Sequence, residues 1–272
     1  MVKTTLRRLV RLLPRSFEER LRDRYWRAKS ALLYQRLYQI LRLEYTLESG
    51  LLLKVASKGE WWTYNDIFVN HEYDLPIRKA LESHPSGCPL TVLDLGANVG
   101  YFALRVVDLM RHATLEITAT DMTLVEGSPA TYRELQDRLK LQSLPQVNLR
   151  VVHGLVGQRD GIGIIHEAAI HVKNTIMAAS KYGGVRVGFV DLSKLMENKS
   201  EIDLLKCDIE GAGLLFIENY GDLLHRVKHA VFEFHHAQCD TAKCVRVLEQ
   251  KGFRQRVLRS SDGVSICFFS RS

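Results

Sequence analysis

The chain has 272 residues, of which 46% are hydrophobic and 25% charged, and its formal net charge is +7 at pH 7. These values are ordinary for a globular protein with a full core, and no apolar run reaches the ~18 residues of a membrane-spanning helix. Arg7, Arg8 and Arg11 interrupt the apolar character of the first residues, which disfavours a secretory signal. The five scattered cysteines favour a reducing compartment, so we expect a cytoplasmic location.

Most of the positive charge lies in the first 42 residues, which contain twelve Lys or Arg and three acids for a net charge of +9. Apolar residues recur there near helical spacing, so we predict a basic helical N-terminal extension over residues 1–50. Two interpretations stay open: an interfacial helix that contacts the inner face of a membrane peripherally, or a helix that packs on the main domain or on a second subunit. Because the rest of the chain is near neutral, no nucleic-acid partner is expected.

The segment 51–90 precedes the main pattern. Its mixed apolar runs predict short lead-in strands, and two prolines and a glycine between 84 and 89 predict a linker into a main domain over 91–272. The segment also contains a group of aromatic residues that could either form the floor of a sugar-binding surface or pack into the core. This group is Trp61, Trp62, Tyr64, Phe68 and Tyr73.

The main domain is predicted to begin with a strand, a glycine turn and a helix. Thr91–Leu95 has the apolar, β-branched composition of a buried parallel strand, and helical spacing begins at Gly100. This order presents free backbone N–H groups at a helix N-terminus, where an anionic or polar ligand group binds. A dinucleotide fingerprint would have a glycine at position 98, but the residue there is Asn98, and the run is Asp94-x-Gly96-x-x-x-Gly100.

That run is similar to the first motif of class I S-adenosylmethionine-dependent methyltransferases. The resemblance implies that the glycines let the amino-acid end of the cofactor lie against the loop, and that the acid holds the loop or the cofactor's ammonium. The alternative is an ordinary strand-to-helix turn in an unrelated α/β protein. The cofactor-binding residues predicted in this stretch are Asp94, Gly96, Ala97, Asn98, Gly100, Tyr101 and Phe102.

Two further strands are predicted to end beside the same ligand. The strand 123–126 ends in Glu126, which could accept hydrogen bonds from the ribose hydroxyls of an adenosyl cofactor, with Asp121 as the competing candidate. Ser128 is a good N-cap for the following helix. The strand 147–152 would bring its tip near the adenine. The cofactor-binding residues predicted here are Glu126, Gly127, Ser128, His153 and Gly154, and Asp208 on a later strand is predicted to bind the cofactor as well.

The remaining strands carry titratable residues at their carboxyl ends. The run 202–211 ends in Asp208 and Glu210, which with Lys206 could deprotonate or orient a hydroxyl or hold a divalent cation, although Asp208 could also simply cap the next helix. The strand 230–236 brings His235 as a candidate general base. A zinc site from His235, His236, Cys239 and Cys244 has only weak support because no CxxC pair is present. Two C-terminal strands, 252–259 and 263–270, predict a hairpin that closes the sheet.

The glycine-rich segment 155–190 predicts an irregular or hairpin insertion. It could carry His166, His171 and Asn174 to an acceptor pocket.

Four stretches together resemble the FkbM-type methyltransferase family: VLDLGANVGYF (92–102), LVEGSPATYREL (124–135), IDLLKCDIEGA (202–212) and VFEFHH (231–236). The resemblance covers about residues 68–270. It implies an α/β fold with a Rossmann-like seven-stranded sheet whose last strand is antiparallel, and S-adenosylmethionine as cofactor. It also implies O-methylation of a hydroxyl on a sugar, a glycan or another secondary metabolite. Gly213 stands where the family often has a second acid, which weakens a multi-carboxylate metal site, so no metal ligand is assigned and the need for a divalent metal stays open.

The resulting hypothesis is a methyltransferase in which Asp208 or His235 takes the acceptor's proton while Glu210 and Lys206 orient the acceptor. The alternatives are a non-catalytic adenosyl-binding or scaffolding protein, which would bind cofactor without transferring a methyl group, and a nucleic-acid methyltransferase, which should have basic residues around its cleft.

Overall fold

The computed structural model describes residues 43–113, 117, 119–166, 175–177 and 184–271, together with six positions between 33 and 41. The predicted N-terminal extension therefore falls largely outside the described residues, as do His171, Asn174 and the side chain of His166. Its membrane contact stays a prediction. Within the described part of the chain, no helix is both long and apolar enough to cross a membrane.

Short helices and strands follow one another along the described residues. In chain order they are β1 (Leu43–Thr46), β2 (Leu52–Val55), α1 (Lys58–Tyr64), a π-helical turn (Asn65–Val69), α2 (Asp74–Ser83), β3 (Pro89–Leu95), α3 (Tyr101–His112), β4 (Ala119–Glu126), α4 (Pro129–Lys140) and β5 (Val147–His153). They continue with β6 (Ile162–His166), β7 (Thr175–Met177), β8 (Val185–Gly188), α5 (Leu192–Leu195), β9 (Ile202–Cys207), α6 (Gly213–Asn219), α7 (Gly221–His225), β10 (Val227–His235), α8 (Thr241–Gln250), β11 (Arg254–Ser260) and β12 (Val264–Ser270).

Seven of these strands form one sheet in the order β11-β12-β10-β9-β3-β4-β5. β3 pairs in parallel with β4 on one side and β9 on the other, whereas β12 runs antiparallel to both of its neighbours. This confirms the predicted seven-stranded sheet with an antiparallel last strand. β4 and β5 lie on one side of β3, and β9 and the later strands lie on the other, so the strand order reverses at β3. A crevice is therefore expected beyond the carboxyl ends of β3, β4 and β9.

The glycine-rich insertion forms a small antiparallel sheet in the order β7-β6-β8. The hairpin alternative for this insertion is therefore correct for its described strands. The isolated bridge between Leu155 and Phe189 connects the two ends of the insertion beside the tip of β5. One side of the crevice is thus formed by the insertion.

The prediction of short strands ahead of the linker is correct for β2 but wrong for residues 58–69, which are helical. The local reason is a capping arrangement in which Ser57 Oγ accepts from the N–H of Glu60 and the Glu60 carboxylate accepts from the N–H of Ala56. The aromatic residues also follow helical rather than strand spacing, since Tyr64 stacks on both Trp61 and Phe68 with ring centroids 5.7 and 5.6 Å apart.

The lead-in segment is joined to the main domain through a buried ion pair. Arg138, on α4, donates to the Glu60 carboxylate at 2.8 Å, and only 6% of each side chain is exposed. A second guanidinium N–H of Arg138 donates to the backbone carbonyl of Lys54. A charge pair removed from water is expensive to break because each partner left alone keeps its desolvation cost.

We expect Arg138→Met to lower the free energy of unfolding by about 3–5 kcal/mol, because it leaves the Glu60 carboxylate buried without its cation. The matched control is Lys140→Met on the same helix, whose pair with Asp137 is 71% exposed on both sides and should be worth at most about 1 kcal/mol. Urea denaturation followed by circular dichroism measures both. Equal losses in the two variants would show that the buried pair does not hold the segment.

Candidate active site

The turn after β3 has a backbone that few side chains allow. Gly96, Asn98 and Gly100 have φ angles of +77°, +50° and +89°, in the left-handed region where glycine is favoured and asparagine is tolerated. A Cβ added at Gly96 would lie 1.9 Å from the carbonyl oxygen of Asp208. The turn therefore packs directly on the backbone that follows β9, which a side chain at position 96 would prevent.

Lys206 supports this turn from below. Its Nζ donates to the Gly96 carbonyl at 2.8 Å and to Asp94 Oδ1 at 3.2 Å, and it lies 3.7 Å from Asp208 Oδ2. Burial by itself would lower the pKa of Lys206, but the carboxylates of Asp94 and Asp208 outweigh it and raise the pKa above its ordinary value. Lys206 is thus a fixed cation that holds the loop, and its predicted contact with the acceptor stays a prediction.

Glu126 lies at the carboxyl end of β4, as predicted. Its Oε2 accepts from the N–H of Asn98 at 2.9 Å and its Oε1 from the N–H of Ser128 at 2.8 Å. Burial raises the pKa of Glu126, opposed by these two hydrogen bonds. Asp121 lies five residues earlier on the strand, where its carboxylate accepts from Lys199, so its position does not favour it as the ribose-binding acid.

A cavity of about 870 Å³ opens beyond these strand ends, within the size range of small-molecule sites. It lies at the crevice expected from the strand order. The predicted cofactor residues that line it are Gly96, Ala97, Asn98, Tyr101, Phe102, Glu126, Gly127 and Gly154, and the predicted catalytic residues Lys206, Asp208, Glu210 and His235 line it as well.

Four predicted cofactor residues lie elsewhere. Asp94 is fully buried beneath the turn, Gly100 is the N-cap of α3, and Ser128 Oγ accepts from the N–H of Thr131 to cap α4. These three shape the site rather than form its wall. His153 is solvent-exposed, with Nε2 3.1 Å from the Gly127 carbonyl and its ring beside Tyr132, so the structure does not place it on the cavity wall.

The structure places one further acid, Glu233, on the cavity wall beside the predicted catalytic residues. Glu233 and His235 are two residues apart on β10, so their side chains lie on the same face of the strand, and both line the cavity. This spacing is the signal by which the sequence could have pointed to Glu233. Nε2 of His235 lies 3.7 Å from Glu233 Oε1 and 3.7 Å from Asp208 Oδ1. On its other oxygen, Glu233 accepts a 2.8 Å hydrogen bond from the hydroxyl of Tyr73.

These three groups have unequal affinities for a proton. Burial would raise the pKa of Asp208, but Lys206 and His235 outweigh it and lower the pKa. Contact with Asp208 raises the pKa of His235 to about 9, with the charge of Glu233 adding to the effect. Burial, followed by the charge of Asp208, raises the pKa of Glu233 to about 7. These shifts favour the protonated form of His235 and the ionised form of Asp208, and the predicted role of either group as the base stays a prediction.

The same three side chains each offer a donor atom within 4.8 Å of the others, as a divalent cation would need. Lys206 lies 3.7 Å from one of these three groups, Asp208, and the need for a divalent metal stays open. The weakly supported zinc set is not assembled among the described residues: His235 faces the carboxylates, while Nε2 of His236 lies 3.1 Å from Ser265 Oγ.

Two lining residues provide a test of whether an adenosyl cofactor suits the cavity. Asn98 Oδ1 and Thr131 Oγ1 are buried and have no hydrogen-bond partner in the described part of the chain, and both residues line the cavity. Asp94 Oδ2, beneath the turn, is in the same state. Buried polar atoms are normally satisfied, so their clustering here indicates a polar ligand. The hydroxyls, amine and carboxylate of S-adenosylmethionine fit that requirement.

The parallel sheet with its antiparallel last strand, together with the glycine turn at its centre, has the architecture that the sequence resemblance implies. Residues 94–255, more than half of the chain, match the model of the Methyltransferase FkbM domain family, and the chain belongs to that family. It is therefore a methyltransferase, with S-adenosylmethionine as its cofactor. No curated protein matches the sequence.

Several solved structures share features of the fold. Precorrin-6y C5,15-methyltransferase from Geobacter metallireducens is 15% identical, with a TM-score of 0.43 over 73% of this chain and 87% of that chain. The ribosomal protein L11 methylase from Lactobacillus delbrueckii subsp. bulgaricus is 13% identical, with a TM-score of 0.40 over 75% and 81%. Aeropyrum pernix fibrillarin, solved with S-adenosyl-L-methionine, is 10% identical, with a TM-score of 0.40 over 73% and 74%. Similarities this distant do not bear on the substrate of this chain.

We expect Glu126→Gln to weaken binding of S-adenosylmethionine roughly tenfold to a hundredfold, because a charge-assisted hydrogen bond is worth about 1.5–3 kcal/mol. The amide keeps nearly the same shape but only one acceptor oxygen, so the N–H of Asn98 or of Ser128 also loses its partner and contributes to the loss. Isothermal titration calorimetry measures the affinity. Asp121→Asn is the control and should bind as the wild type does; the reverse result would assign the ribose contact to Asp121.

Proposed function

We propose that the protein transfers a methyl group to a hydroxyl of a neutral, polyhydroxylated acceptor, such as a sugar, a glycan or a related secondary metabolite. S-adenosylmethionine, when bound, supplies the electrophilic methyl group. The observation that carries the proposal is the charge of the cavity wall.

The wall is acidic. Five of its described lining residues are carboxylates: Asp66, Glu126, Asp208, Glu210 and Glu233. Its lysine and arginine side chains, Lys206 and Arg259, are both engaged with acids; Arg259 lies 2.8 Å from Glu72 and 3.3 Å from Asp66. A nucleic-acid site needs basic groups to neutralise phosphates, so this wall disfavours a polyanionic acceptor.

The outer wall also has features that suit a carbohydrate. Trp61 and Trp62 line the cavity and are still 41% and 45% exposed. Exposed aromatic rings beside a pocket mark a binding surface, and the apolar C–H face of a sugar ring packs on such rings. Asn65, Asn70 and Ser261 lie on the same wall and could hydrogen-bond to hydroxyl groups. The sugar-binding alternative for the two tryptophans is therefore favoured, whereas Phe68 and Tyr73 are buried.

The proposal is tested by methyl transfer from radiolabelled S-adenosylmethionine to cell extracts separated into glycans, lipids, small metabolites and RNA. We expect label in the glycan or small-metabolite fraction, in a product that resists mild alkali because a methyl ether is not hydrolysed as an ester is. Label confined to RNA, or a product released by alkali, would contradict the proposal.

We expect Trp61→Ala and Trp62→Ala each to raise KM for the labelled acceptor roughly threefold to tenfold, because each removes an aromatic contact surface. The affinity for S-adenosylmethionine should stay unchanged in both. Tyr45→Ala is the control, since Tyr45 is 56% exposed on β1 but does not line the cavity. A loss of affinity for S-adenosylmethionine without a change in KM for the acceptor would show that the tryptophans contact the cofactor and not the acceptor.

The acceptor hydroxyl must lose its proton as its oxygen is methylated, and we assign that proton to Glu233. The Glu233 carboxylate faces the cavity, is held by the Tyr73 hydroxyl, and has a pKa raised to about 7, where a base is both ionised and strong enough to act. Next to Glu233, the positive charges of Lys206 and protonated His235 neutralise the negative charge of Asp208. In this arrangement, Asp208 and His235 are positioning groups, and Glu210 adds negative charge near His235.

The pH dependence of kcat distinguishes the three candidate bases, because each must be ionised or deprotonated to act. We expect kcat to rise as pH increases through about 7, the pKa of Glu233. A base at His235 would place the rise near 9, and a base at Asp208 would leave kcat flat above the ordinary range of an aspartate. Glu233→Gln should lower kcat roughly 10²–10⁴-fold and abolish this dependence.

Tyr73→Phe provides a second check on the same assignment. The Tyr73 hydrogen bond favours ionised Glu233, so its removal should move the midpoint of the kcat profile to higher pH. Addition of EDTA should leave transfer unchanged. An unmoved midpoint, or activity lost with EDTA and restored by a divalent cation, would overturn this account of the cluster.

A further inference from the structure

Two cysteines lie next to each other just after β10, and the proposed methyl transfer uses neither. Cys239 is in the turn between β10 and α8, and Cys244 is in the first turns of α8. Their Sγ atoms are 3.2 Å apart. A disulfide requires about 2.05 Å between sulfurs, so a movement of roughly 1 Å would join them.

The two thiols differ in exposure and acidity. Cys239 is partly exposed, whereas Cys244 is fully buried. Contact with the Cys244 thiol, aided by the backbone N–H of Leu214, lowers the pKa of Cys239 to about 7. The same contact raises the pKa of Cys244. Thiolates rather than thiols are nucleophilic, so the pair combines an accessible attacking sulfur with a protonated partner at its side.

We propose that Cys239 and Cys244 form a redox-active dithiol that a hydroperoxide oxidises to an intramolecular disulfide. The Cys239 thiolate attacks the peroxide, the O–O bond breaks, and Cys239 becomes a sulfenic acid while the other oxygen leaves as water or an alcohol. The Cys244 sulfur then attacks the Cys239 sulfur, the S–O bond breaks, and the second oxygen and the released protons leave as water. In total, two thiols lose two electrons to one hydroperoxide.

The other cysteines do not offer the same chemistry. Cys207 and Cys267 are buried, and burial raises the pKa of both thiols. Cys88 is exposed, on the turn before β3, and has no described cysteine beside it. It is therefore a matched control for general thiol oxidation.

The pair is connected to the active site through one short turn. The N–H groups of Gln238 and Cys239 both donate to the carbonyl of His235, at 2.9 and 3.0 Å. Gln238 lines the cavity and approaches the Gly211 turn that follows Asp208. A disulfide at 239–244 would therefore fix the turn that forms part of the acceptor side of the wall.

The test uses the full, reduced protein with stoichiometric hydrogen peroxide, followed by alkylation of the remaining thiols and peptide mass spectrometry. We expect the intact mass to fall by about 2 Da, with residues 239 and 244 joined in one peptide and the change reversed by dithiothreitol. Cys88→Ser should behave as the wild type does. Cys239→Ser should abolish the disulfide.

Cys244 is buried, so a second measurement avoids dependence on the folding of a Cys244 variant. Phenylarsine oxide binds two neighbouring thiols at once, and we expect one equivalent to bind to reduced wild type and to Cys88→Ser but not to Cys239→Ser. The proposal is overturned if peroxide consumes Cys88 while residues 239 and 244 stay reduced. It is also overturned if Cys239 is carried to sulfinic or sulfonic acid without joining Cys244.

Discussion

The buried contact between Lys206 and Asp94 joins the two central strands of the sheet directly beneath the cofactor turn. Lys206 is at the end of β9 and Asp94 near the end of β3, and the lysine also donates to the Gly96 carbonyl. Because both charges are shielded from water, the pair needs this close geometry to be tolerated. The turn, the backbone at Asp208 and the catalytic cluster are consequently held in one fixed relation.

In the cluster of Asp208, Glu233 and His235, neighbouring groups give two similar side chains different pKa values. Asp208 and Glu233 are both carboxylates beside His235, yet the pKa of Asp208 is lowered and that of Glu233 raised to about 7. At Asp208 the cations Lys206 and His235 outweigh the effect of burial on the pKa. At Glu233, burial and the charge of Asp208 outweigh the opposing hydrogen bond from Tyr73. The cluster thereby contains an anion at Asp208, a bound proton at His235 and a proton acceptor at Glu233.

Local sequence signals predict most of the site because they coincide with strand ends. Gly96, Asn98 and Glu126 follow from a strand-to-helix transition, and the sheet brings them to one cavity. The lead-in segment departs from the predicted strands since Ser57 and Glu60 cap a helix and the aromatic rings stack at helical spacing. The contacts of Lys206 beneath the turn could not be predicted, because its side-chain direction depends on packing against Asp94.

The sequence by itself determined the class of fold, the cofactor turn and the family, because these depend on short-range patterns of strand, glycine and helix. Only the tertiary structure decided which groups meet across the sheet. Tyr73 and Glu233 are 160 residues apart, and Arg138 reaches Glu60 over 78. No local pattern encodes such pairs, since their contact follows from the packing of whole elements, and the protonation states in the cluster follow in turn from that packing.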